Sequence, residues 1–210
     1  MKRVIDDYIN NKIKLDIGII SFVIVISGVF GWVYEFIFYY FNGGCKIWYM
    51  QGGNFLPWIN IYAIGSLIIM FTTYNIRKSP LKVFLVAVLF TGILEYFSGL
   101  VILKLCDGLR LWDYNTEILN FGNIGGFVCL RSVLFFGISS LFLVYVIVPI
   151  LIYISSKVDK KFFLIVGIVL VSIVLFDEIY NLVIARTMNL PRASDIYKSM
   201  GYEYVEFPRG

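Results

Sequence analysis

The chain has 210 residues, 60% of them hydrophobic and 15% charged, with 18 Lys and Arg against 14 Asp and Glu for a formal charge of +4. A soluble domain of this length has too little interior to hide so much apolar surface, which places the chain in a bilayer. The positive charges are scattered rather than set beside aromatic platforms, which excludes a nucleic-acid partner.

Residues 1–14 are polar and mixed in charge and read as a short cytoplasmic lead. Residues 15–40 form an apolar run longer than the roughly 20 residues needed to cross a hydrocarbon core of about 30 Å. The run lacks a small-residue cleavage site and exceeds a signal-peptide core, so it is read as a retained span. A second span is predicted over 55–74, stopped by Arg77, Lys78 and Pro80, and a third over 81–103. The connection after it, rich in Gly and Asn, is too long for a simple hairpin turn. A fourth span is predicted over 130–155, kinked near Pro149, and a fifth over 162–185, with a polar, aromatic tail over 186–210. The expected fold is all-α, a polytopic transmembrane helix bundle of about five spans with a long outer loop between spans 3 and 4. Lys2, Arg3, Lys12, Lys14, Arg77, Lys78, Lys82, Lys157, Lys160 and Lys161 fall on the side of the N-terminus. That bias predicts a multi-pass protein of the cell membrane with its N-terminus in the cytoplasm.

Histidine is absent, which removes the commonest general base and the favourite zinc ligand. No catalytic residue, cofactor or metal is therefore expected. Cys45, Cys106 and Cys129 have no metal-binding spacing and read as apolar filler, with any disulfide among them left open.

At a rise of about 1.5 Å per residue, Glu35 lies late in the first span and Glu95 late in the third, both in the outer half. Asn60 starts the second span from outside, Arg131 opens the fourth, and Asp177, Glu178 and Asn181 come late in the fifth. The loop with Trp112, Asp113 and Tyr114 reaches the same leaflet. A charge in mid-bilayer costs about 3 kcal/mol on insertion scales, so Glu35 and Glu95 are expected to pair with Arg131 or to be neutral. Two readings stay open. One is a network that fixes helix register; the other is a polar pocket in which Glu35, Glu95, Trp112, Asp113, Tyr114 and Arg131 bind a small solute. Asp177 and Glu178 are read as mouth-facing and solvated. The small-residue step Ser27-Gly28-Val29-Phe30-Gly31 lets a helix approach closely, within the bundle or in a homo-oligomer.

Four motifs occur in order: Gly31-Trp32-Val33-Tyr34-Glu35, Glu95-Tyr96-Phe97-Ser98-Gly99, Trp112-Asp113-Tyr114-Asn115, and Gly126-Phe127-Val128-Cys129-Leu130-Arg131-Ser132 with Phe136-Gly137. They resemble the motifs of the ABC-transporter type IV (CmpB-like) permease family of bacterial membrane proteins, over about residues 28–150. The resemblance implies a permease-like transport component. It also implies a separate ATPase subunit, since no G-x-x-x-x-G-K-[ST] loop occurs in the chain. Near the second span the family pattern resembles N-R-G-F-L-x-G-P-x-x-P-I-Y-G. This chain has Asn54-Phe55-Leu56-Pro57-Trp58-Ile59-Asn60-Ile61-Tyr62-Ala63 there, without the arginine, the Gly-Pro turn or the second proline. The alternatives to transport are an enzyme acting on a lipid or envelope precursor, with Arg131 holding an anionic head group, and an accessory subunit. Transport is preferred because no histidine or metal set accompanies the acids.

Overall fold

The computed structural model describes residues 1–42, 53–105 and 108–202. These residues form helices α1 (Lys2–Ile9), α2 (Ile17–Asn42), α3 (Asn60–Thr72), α4 (Pro80–Leu105), α5 (Leu130–Ser155), α6 (Lys160–Thr187) and α7 (Ala193–Ser199), with no named strand among them. Local chemistry sets several starts. Asp16 Oδ1 accepts the Ile19 N–H at 2.9 Å and Asp159 Oδ1 the Phe162 N–H at 2.8 Å, satisfying first-turn donors of α2 and α6. Pro80 opens α4, where its missing N–H costs nothing.

Four helices are long and apolar enough to cross a bilayer: Ile17–Phe41, Pro80–Leu105, Leu130–Ser155 and Lys160–Thr187. The second predicted span differs. Its helix has only 13 residues, about 20 Å of rise, and residues 55–59 are not helical. Pro57 accounts for part of this, because it donates no hydrogen bond and pushes Leu56 out of the helical region. The predicted lead and tail each contain a helix, α1 and α7.

The chain divides into two compact units. The first joins Met1–Lys14 to Gly65–Tyr153 and so holds α1, most of α3, α4, nearly all of α5 and the loop between α4 and α5. On α4 the buried positions recur every four residues, at Val83, Ala87, Thr91, Glu95 and Gly99. On α5, which packs against α4, Ser132, Phe136, Gly137 and Ser140 are buried, while Leu85, Leu89, Ile93, Phe97 and Val101 of α4 are exposed. Small and polar groups inside, with large apolar ones outside, is the pattern expected where lipid replaces water. Gly137 lets the two helices meet, since a Cβ there would stand 2.6 Å from the Phe84 ring. Within α5, residues Leu143–Ile147 form a wider π turn just before Pro149, whose ring would crowd the carbonyl four residues earlier in a regular helix.

The second unit joins Leu15–Ile64 to Ile154–Val205. Here α2 packs along α6, with the Phe22 and Phe163 rings 4.5 Å apart and Gly167 against Ser21. Ala63 and Val174 are buried with Trp58, whose indole lies over Gly28.

Candidate functional site

The first unit gathers most of the predicted residues around the buried carboxylate of Glu95, which is 2% exposed. Its Oε1 accepts the Tyr114 hydroxyl at 2.6 Å and its Oε2 the Ser132 hydroxyl at 2.7 Å. The 19- and 37-residue separations are closed by the fold: α4 brings the acid, α5 the serine, and the loop folds back to deliver the tyrosine. Burial first, and the neighbouring Glu95 charge second, hold the Tyr114 phenol well above its ordinary pKa, so it stays a donor.

The loop is shaped around Trp112 and Asp113. The Trp112 indole N–H donates to the Phe127 carbonyl at 2.9 Å and the Tyr114 N–H to the Gly126 carbonyl at 3.0 Å. Asp113 Oδ1 accepts the Asn115 N–H at 3.0 Å and the Asn115 side-chain amide at 2.8 Å, with Arg110 Nη1 3.6 Å away. The Arg110 guanidinium lies 4.9 Å from the centre of the Phe127 ring and donates to the Gly125 carbonyl at 3.2 Å. Gly126 has φ +79°, and a Cβ there would fall 2.3 Å from Asp113 Oδ1, so glycine is required. Gly99 gives α4 the matching hollow for Phe127 and Trp112.

Arg131 pairs with Glu117 of the loop, and its guanidinium also lies 5.5 Å from the Tyr114 ring centre. Glu95 makes no ion pair among the described residues, so of the two states expected for it, paired with Arg131 or neutral, the Glu95–Arg131 pair is not formed. Hydroxyl donors take both carboxylate oxygens, and the cation has a nearer loop acid. Sequence reasoning missed Glu117 and Ser132; the second was quoted only as the end of a motif.

Glu35 belongs to the second unit, where its Oε1 accepts the Tyr62 hydroxyl at 3.0 Å. Gly28 and Gly31 are covered by Trp58 and Tyr62, which explains the small-residue step as packing within the chain. Asp177 is buried and Glu178 half-buried, and both are held by the chain instead of standing solvated at a mouth. Asp177 accepts the backbone N–H groups of Phe55 at 3.0 Å and Leu56 at 2.7 Å, together with the Asn181 amide at 2.8 Å. Glu178 accepts the side-chain amides of Asn54 and Asn60, each at 2.6 Å. The two acids thus replace the helix that residues 54–59 do not form. Trp58 donates to the Ile24 carbonyl at 3.2 Å and Ile59 N–H to the Gly28 carbonyl at 3.1 Å, completing the clasp.

Among the described residues no group of three or more His, Cys, Asp or Glu comes together in a way that could hold a metal ion. Cys129 is a buried free thiol, and Cys45 and Cys106 lie outside the described residues. A model of the family described as "Putative ABC-transporter type IV" matches residues 22–182. No curated protein and no solved structure matches the chain.

Proposed function

Because the chain belongs to the Putative ABC-transporter type IV family, we propose that it is the permease-like membrane component of a transporter, not an enzyme. Its polar pocket is built by Glu95, Trp112, Asp113, Tyr114 and Arg131. The observation that carries this reading is the Glu95 carboxylate, buried in a bilayer-crossing helix and held by two hydroxyls instead of a cation. Hydroxyls can rotate from the carboxylate to a solute, whereas a committed ion pair resists exchange. A small cationic or hydroxylated solute would displace Tyr114 or Ser132 and use the loop aromatics for its apolar face. Energy would come from a separate ATPase subunit. The proposed orientation in the cell membrane puts the N-terminus in the cytoplasm and the loop between α4 and α5 outside.

A second reading, a purely structural fastener, is favoured by one observation: both Glu95 oxygens already have donors inside the protein. The two separate by thermal stability of the detergent-purified protein against a panel of small solutes and lipid head groups. In the transport reading one solute class raises the melting temperature of the wild type, and Glu95→Gln accumulates normally but loses that response. If no solute shifts either protein and Glu95→Gln simply melts earlier, the fastener stands.

A further inference from the structure

About 23 Å along α4 from Glu95, at the end where the helix begins, stands a second buried charge. Arg77 lies in the turn between α3 and α4 and is 2% exposed. Two aromatic rings lie against it, with the guanidinium carbon 3.9 Å from the centre of the Tyr8 ring and 4.5 Å from that of Tyr74. At its edge, Nε donates to the Tyr74 carbonyl at 3.0 Å and Nη2 to the Asn11 side chain. Among the described residues Nη1 has no hydrogen-bond acceptor and no carboxylate pairs with this guanidinium. The Arg77 carbonyl accepts the Tyr145 hydroxyl at 2.7 Å, so the turn is pinned to α5.

A guanidinium held out of water without an anion is among the costliest arrangements a protein keeps. Aromatic covers reduce that cost but supply no negative charge. The remaining donor is an arginine edge, which suits the oxygen of a carboxylate or a phosphate, and at the level of lipid head groups phosphate is the abundant one. Pro80 starts α4 three residues later, so the turn lies at head-group level, with exposed Lys78 and Lys82 beside it in the chain. The cover is amphipathic. Helix α1 turns Tyr8 inward and leaves Lys2, Arg3 and Asp6 exposed, the pattern of a helix lying on a membrane surface.

We propose that Arg77, packed against Tyr8 and Tyr74, is a binding site for a phosphate oxyanion, carried by an anionic lipid head group or free in solution, and that α1 is the cover over it.

The test is hydrogen–deuterium exchange of the full chain in phosphatidylcholine nanodiscs, alone, with phosphatidylglycerol, and with inorganic phosphate. With ligand at roughly ten times its dissociation constant, exchange should slow about tenfold over both residues 1–14 and 73–79. Slowing by phosphatidylglycerol alone assigns the lipid; equal slowing by inorganic phosphate assigns the free ion. Arg77→Gln should lose the effect and Lys82→Gln keep it. Slowing confined to 1–14 would be adsorption of a basic helix to an anionic surface and would overturn the site, as would an unchanged response in Arg77→Gln. If that variant does not accumulate, Tyr8→Ala replaces it. With one face stripped, the guanidinium stands in water whatever the lipid, so the lipid dependence over 73–79 should shrink, and a full response would refute the proposal.

Discussion

At the scale of single residues, the pair formed by Glu117 and Arg131 dominates the loop, because the two side chains are only 7% and 15% exposed. Removing one partner of a buried pair strands the other, which typically costs about 3–5 kcal/mol. Glu117→Ala and Arg131→Ala should therefore each lower the melting temperature strongly, while the double variant loses less than the sum of the two. Glu95→Gln combined with Arg131→Ala should be closer to additive, since Glu95 is bound by hydroxyls; strong coupling there would restore the ion pair, one of the two states the sequence offered. That expectation followed from hydropathy, which makes an acid conspicuous inside an apolar span and ordinary in a loop. Glu117 sits among Asn115, Thr116 and Asn120, where nothing in its spacing singles it out. Tyr114 and Asp113 were legible because aromatics flank them and a motif carries them.

Among the elements, α4 and α5 were readable almost to the residue, since long apolar runs bounded by Pro80 and a glycine-rich loop leave little choice. The second pass was not. Phe55, Leu56, Trp58 and Ile59 extend the apolar run of α3, and hydropathy does not distinguish a helix from an extended segment whose N–H groups find carboxylates elsewhere. The acceptor, Asp177, lies 121 and 122 residues away from its two donors, so no local pattern reports it. The same distance hid the role of Glu178. Asp177→Asn should destabilise the second unit by about 1–3 kcal/mol, because an amide nitrogen would face the Leu56 N–H donor to donor. Hydrogen exchange should speed up at residues 55 and 56 first, with α4 little changed; uniform acceleration through all helices would show that the clasp is not local.

For the whole molecule, the four long helices and the family match agree on a multi-pass membrane protein. Orientation is open to direct measurement, with Cys45 and Cys106 replaced and buried Cys129 kept. A cysteine at Phe121 should react with an impermeant maleimide on intact cells, and one at Lys78 only after permeabilisation. The reverse pattern would invert the orientation, and labelling of both from outside would deny that α4 crosses. The clasp also bears on how the protein is made. At about 5–20 residues per second, the ribosome needs roughly 6–24 s after producing Leu56 to produce Asp177. Throughout that interval residues 54–59 have been synthesised without the carboxylates that satisfy them. A chain cut short before Asp177 lacks the carboxylates that residues 54–59 use, and should be cleared by membrane proteolysis faster than the full chain in a pulse-chase experiment.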